Sequence, residues 1–151
     1  FNRELIDIVY EQDPSPTVDT AWRELYEFSG STLPGQEKIP SFNETLEFVR
    51  KKGSRIRMLD VFHQLHCLDM VRQALYPHHY SHSIDPGHVT HCINSVRQSI
   101  MCMVDVSVVS WEWSQELDAL IESEGNMHVC RDFDGIKEWA LENHFDRQFI
   151  E

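Results

Sequence analysis

No stretch of eighteen consecutive apolar residues occurs in this chain, so no segment of it is expected to cross a membrane as a helix. Basic residues are scarce: 13 Lys and Arg stand against 25 Asp and Glu, for a formal net charge of -12. A surface of that sign repels phosphates, which argues against nucleic acid or an anionic membrane as partner. A Gly-rich phosphate loop, a Gly-x-Ser-x-Gly elbow and a Cys-x-x-Cys pair are all missing. Their absence removes the commonest signatures of phosphate-loop binding, Ser-nucleophile hydrolysis and dithiol redox chemistry. No low-complexity tract or linker divides the chain, and no signal peptide or initiating Met opens it. Residues 1–151 are therefore expected to form one domain trimmed from a longer protein, with any targeting segment lying outside it.

What is present supports a real interior. Hydrophobic residues make up 41% of the chain, among them eight Phe, four Trp and four Tyr. Cys67, Cys92, Cys102 and Cys130 are even in number and permit two disulfides. Asn43-Glu44-Thr45 is an N-glycosylation sequon in a polar stretch after Pro40. Together these two features point to an oxidising secretory lumen.

Periodicity predicts a mainly α fold with a few short strands. The opening FNRELIDIVYEQ reads as a short strand or extended arm. Thr17 or Asp19 can cap a helix carrying Ala21, Trp22, Leu25 and Phe28 at helical spacing, closed by Gly30. Residues 58–76 lack Gly and Pro and keep apolar side chains on a 3.6 period, which predicts a helix stopped by Pro77. A second helix is predicted from residue 88, entered through Asp85-Pro86, with a strand as the alternative beyond Val104. WEWSQELDALIESEG reads as a strand and then a helix, and 134–143 as a closing helix. A continuous helix over 88–103 would hold Cys92 and Cys102 about 15 Å apart, too far to pair. Both remaining pairings stay open: 67–92 with 102–130, or 67–102 with 92–130.

The two central helices share a message. HQLHCLDMVRQAL (63–75) and HVTHCINSVRQSI (88–100) align without a gap, and each repeats His-x-x-His-Cys followed by Arg-Gln. Residues three apart on a helix share a face, so His63 with His66, and His88 with His91, can each aim two imidazoles at one ion. Two such pairs on adjacent helices predict a metal site. Imidazole suits Cu, Zn, Fe and Ni; free thiolates at Cys67 and Cys92 would favour zinc or Cu(I), whereas disulfides would leave a nitrogen-rich site for copper. Asp60, Asp69 and Asp105 are candidates for the carboxylate that orients a metal-bound imidazole. Trp111 and Trp113 could line a pocket or sit in the core. His78, His79 and His82 read as a solvated loop.

The doubled motif resembles that of the UstYa-like family of fungal proteins. SPTVDTAWRELY (15–26), HCINSVRQSIMCMVD (91–105) and HVCRDFDGIKEWA (128–140) resemble further segments of that family, and the similarity spans most of 15–140. The resemblance implies a lumenal domain held by an N-terminal transmembrane anchor that lies outside this chain. It implies oxidative chemistry in secondary-metabolite pathways, often on ribosomally made peptides: macrocyclisation, hydroxylation, desaturation or halogenation, with copper as cofactor and O₂ or peroxide as oxidant. Carried over by position, the ligands are His63, His66, His88 and His91, with His128 a further candidate. A homodimer or a paired homologue is an expected assembly. The rival expectation is a zinc-stabilised or metal-free subunit that supports an active partner.

Overall fold

The computed structural model describes residues 7–28, 31–34, 54–80, 84–123 and 127–144; the Asn43 sequon and His82 lie outside them. The opening segment is neither strand nor arm where it is described, since Asp7–Glu11 forms a short 3-10 helix. Helix α1 runs Pro16–Glu24. Its cap is Ser15 rather than Thr17 or Asp19: the Ser15 hydroxyl accepts from the Val18 N–H, and Pro16 opens the helix. Pro is at home at that first position because its missing N–H would have no helical partner there. Strands β1 (Ser31–Pro34) and β2 (Ser54–Arg57) pair antiparallel, with Ser31 opposite Arg57.

Helices α2 (Asp60–Ala74) and α3 (Pro86–Met103) form the centre and pack against each other. The Asp85 side chain accepts from the His88 N–H, as the Asp-Pro entry predicts. Gly87 makes room for that cap, because a Cβ there would lie 2.8 Å from the Asp85 carboxylate. Helix α3 stops at Val104, which adopts a left-handed conformation (φ 40°), a costly state for a β-branched residue. The predicted helix after the strand at 111 does not form. Strands β3 (Trp111–Ser114) and β4 (Ala119–Glu122) make a hairpin instead. Ser114 Oγ accepts from the Leu117 N–H and Asp118 takes a positive φ, so local turn chemistry overrides the helix-forming run between them. Helix α4 (Phe133–Glu142) closes the described chain, capped by Asp132.

The core is small and aromatic. Val18, Trp22, Phe62, Cys67, Cys92 and Ala140 are its buried apolar residues. Phe62 joins three elements: its ring meets Phe28 edge-on at 5.0 Å and Phe133 at 6.3 Å. Trp22 is gripped between Tyr10, edge-on at 5.4 Å, and the Arg72 guanidinium, 5.5 Å from its ring centre. Trp111 and Trp113 lie outside the core and do not line the cleft described below. They share one face of β3 and are 62% and 59% exposed.

The expected disulfide framework is corrected: all four cysteines are free thiols. Cys67 and Cys92 face each other in the α2–α3 interface at hydrogen-bonding separation, while Cys102 and Cys130 are exposed. Among the described residues the fold is held by packing and polar networks. Phe62→Ala should therefore cost about 3–5 kcal/mol in chemical denaturation, against less than about 0.5 kcal/mol for Leu75→Ala at an exposed position.

Candidate metal site and adjoining cleft

Because α2 and α3 run antiparallel across their shared interface, the two His-x-x-His pairs interleave. The His63 and His91 rings lie 5.7 Å apart and the His66 and His88 rings 6.0 Å apart, with His88 stacked on His91 at 6.5 Å. All four imidazoles thus gather around one crossing. The tightest donor group within it is His63, Cys67 and His91, whose ligand atoms all lie within 4.8 Å of one another. His63 Nε2 is 3.6 Å from Cys67 Sγ, and its Nδ1 is 3.7 Å from an Asp60 carboxylate oxygen. That carboxylate is beside the imidazole but beyond hydrogen-bond reach, and it accepts from the Gln64 side-chain amide instead. Two imidazoles and a thiol fit a borderline or soft ion such as Zn²⁺ or Cu(I). Burial and a hydrogen bond with Cys67 push the Cys92 thiol up to about 12. Cys92 is thereby held protonated as a small packing residue, and Cys67 is left as the thiol beside the imidazoles.

The other two aspartates have different partners. Asp69 is fully buried and accepts from the Tyr26 hydroxyl (2.8 Å), Arg72 Nε (2.7 Å) and Gln73 Nε2 (2.9 Å). It reaches the histidines through Tyr26, whose ring meets His66 edge-on at 5.1 Å. Arg72 continues to Asp19 (2.7 Å) and to the Tyr80 hydroxyl (2.8 Å), and Tyr80 itself donates to Asp19 (2.7 Å). Burial pushes the Tyr26 hydroxyl up, reinforced by the bond to Asp69. Burial and the bond to Asp19 likewise push Tyr80 up to about 12. Burial alone would raise Asp19, but the hydrogen bonds from Tyr80 and Arg72 outweigh it and leave the carboxyl below its ordinary value.

Asp105 pairs with His128 instead, its Oδ2 lying 2.6 Å from Nδ1. Hydrogen bonds from Ser107, and then from His128, hold Asp105 near 2. The structure thus sets His128 on an aspartate beyond the end of α3, apart from the close group of His63, Cys67 and His91. His78 and His79 are exposed, as a solvated loop predicts, and His144 bonds the Leu141 carbonyl at 2.8 Å.

A cleft of about 1440 Å³ opens beside the imidazoles. The first turn of α2, one face of α3, the segment after Val104 and the start of α4 form its walls. His63 and His91 line it, whereas His66 and His88 do not. Val104, Val106, Val129, Phe133 and Ile136 give it an apolar side; Gln64, Asn94, Ser95, Gln98 and Ser99 give it an amide and hydroxyl side. Cys102 and Cys130, both exposed, also line it. Sequence reasoning missed Tyr26 and its network. The signal was present in the Val-Asp-x-Ala-Trp run and in the Arg-Gln that trails the first motif.

Fold and site define a small helical domain with a candidate metal centre of His63, Cys67 and His91 beside an open cleft. The family model described as mycotoxin biosynthesis protein UstYa matches residues 1–143, and the chain belongs to the UstYa family. It is similar to the UstYa family oxidase phomYc of Diaporthe leptostromiformis, at 32% identity over 93% of this chain and 61% of that protein. It is also similar to the UstYa family oxidase aprY of Aspergillus flavus (26% identity, 91% of this chain, 48% of the relative). A third relative is the oxidase ustYa of the same species (36% identity, 75% of this chain, 49% of the relative). The chain spans roughly half to three fifths of these relatives' length. No solved structure matches it.

Thiol accessibility checks the site directly. In the native protein Cys102 and Cys130 should react with a thiol reagent at once. Cys67 and Cys92, buried and with Cys92 held protonated, should react only on unfolding, giving two fast thiols and four in denaturant. Acid sensitivity is the second check. Asp19 sits below its ordinary value, so its contribution to stability is full above about pH 4 and is lost as pH falls through its folded value. Asp19→Asn should flatten the acid limb of the denaturation midpoint plotted against pH.

Proposed function

We propose that this domain is a copper-dependent oxidase of secondary-metabolite biosynthesis, acting on C–H or O–H bonds of a peptide-like substrate in reactions such as macrocyclisation. One observation carries the reading: an imidazole–thiol group of His63, Cys67 and His91 sits where two of its members face an open cleft. Membership of a family whose relatives are named oxidases supports the reaction class. Copper, when bound, would supply one-electron chemistry with O₂ or peroxide as oxidant.

The chain's own part is to bind, orient and exclude water. His63, Cys67 and His91 would hold the ion, and the adjoining His66 and His88 would complete the imidazole set of the same centre. Asp60, 3.7 Å from His63 Nδ1, places negative charge beside that imidazole. The valine, phenylalanine and isoleucine side of the cleft would take apolar substrate groups and keep water from the reacting bond. The amide and hydroxyl side offers donors and acceptors matched to a peptide backbone. Asp105, which lines the cleft and is ionised at working pH, holds the ring of His128. The setting proposed for this chemistry is the secretory lumen.

The thiol in the donor group favours a second reading, a zinc site that stabilises the fold of a non-catalytic subunit. Metal content separates the two. The protein purified without added metal and then given one equivalent of copper should hold copper and consume O₂ with substrate. His63→Ala and His91→Ala should each reduce bound copper and abolish turnover, while His144→Ala changes neither. Tightly held zinc that copper does not displace, with no oxidative turnover, would overturn the oxidase reading in favour of the structural one.

A further inference from the structure

The two halves of the duplicated motif are treated differently by the fold. In both copies an arginine donates through Nε to the residue three positions earlier: Arg72 to Asp69 at 2.7 Å, and Arg97 to Asn94 at 3.0 Å. The local device is the same, but its setting is not. Asn94, Arg97 and Gln98 are exposed, whereas Asp69 is wholly buried and Arg72 nearly so. The chemical difference between the copies is a carboxylate in place of an amide. An amide has one oxygen, and Arg97 takes it twice. A carboxylate keeps a second oxygen, and in α2 that oxygen receives the Tyr26 hydroxyl and the Gln73 amide.

We propose that Tyr26, anchored on Asp69, is a positioning residue that holds the imidazole of His66 in its metal-binding orientation; this rests on His66 belonging to the proposed metal centre. The Tyr26 ring meets His66 at an interplanar angle of 69°, an edge-to-face contact that favours one ring orientation over its alternatives. The hydroxyl at the far end of the tyrosine is fixed by a carboxylate that is itself clamped by Arg72 and Gln73. The clamp continues to Asp19 and Tyr80. A side chain tied at one end to a buried network and pressed at its edge against an imidazole restricts that imidazole before any ion arrives. The exposed Asp60 carboxylate stands 3.7 Å from His63 Nδ1, beyond hydrogen-bond reach, whereas the buried Asp69 acts on His66 through the Tyr26 ring. The SPTVDTAWRELY segment thereby gains a role, since Asp19, Trp22 and Tyr26 all converge on Arg72 or Asp69.

Tyr26→Phe keeps the ring and removes the anchor; Tyr80→Phe removes a hydroxyl from the same network that serves Arg72 and Asp19 rather than Asp69. Both variants, with the wild type, are examined in two ways. The first is the NMR signal of the His66 ring in metal-free protein. The second is copper affinity by chelator competition, with the Cu(II) EPR spectrum. The expected result is a narrow, ring-current-shifted His66 signal in wild type and Tyr80→Phe, averaged in Tyr26→Phe. Copper binding should weaken about tenfold in Tyr26→Phe, as loss of a supporting group around a metal ligand does, with a changed EPR spectrum. Tyr80→Phe should lower thermal stability and leave affinity and spectrum unchanged. An unchanged His66 signal and affinity in Tyr26→Phe would overturn the proposal, as would equal losses in both variants that track thermal stability. Should the wild type bind neither copper nor zinc, the metal reading falls, and the metal-free spectrum still decides whether Tyr26 holds His66.

Discussion

Everything at the centre of this molecule depends on how closely α2 and α3 approach. Cys67 and Cys92, both fully buried, face each other within that contact. A thiol is small and tolerates burial as an apolar group, so two of them facing each other let the helix backbones come near. The histidine immediately before each cysteine points about 100° away around the helix, to the flank of the same interface. Close approach of the thiols therefore obliges the imidazoles to meet. A larger residue at 67 or 92 would push the helices apart and separate the rings without touching any of them. One short motif thus sets the helix spacing and places the donors together.

Much of this was legible in the sequence, and the reasons differ by element. The helices at 60–74 and 86–103 follow from an unbroken apolar period bounded by Pro77 and by Asp85-Pro86. The gathering of the four imidazoles follows from the gapless repeat. The hairpin over 111–122 was misread because Gln-Glu-Leu-Asp has good helix propensity. Its structure is set by the Ser114 turn and the left-handed Asp118, which a propensity sum does not weigh. The cysteines were misread because evenness in a short chain suggests crosslinks, whereas here two of the four are packing residues. By sequence Asp69 reads as the direct partner of an imidazole. Its actual partners lie 43 residues upstream and three and four residues downstream, and the upstream one was beyond the reach of any local pattern.

The polar network around Arg72 is the other large commitment of the fold. A guanidinium 10% exposed and a carboxylate fully enclosed are expensive to take out of water. They are tolerable only when every lone pair and N–H finds a partner. Asp19, Tyr26, Gln73, Tyr80 and the face of Trp22 supply those partners from three separate stretches of chain. Removing one partner leaves a buried charge less compensated and costs stability, whichever oxygen or N–H it served. It also joins helix α1, which has little other contact with the centre, to the helix that carries the first imidazole pair.

The uneven treatment of the two repeats has an evolutionary consequence. On the α1 side each change removes a partner from a buried charge and costs stability, so that side is costly to alter. On the other side Asn94, Gln98, the stretch after the left-handed Val104 and the start of α4 face open solvent or the cleft, with few obligations to one another. A lineage can reshape that wall to suit new molecules while the opposite wall keeps the chemistry in register, dividing the labour of diversification from that of conservation within a single helical pair.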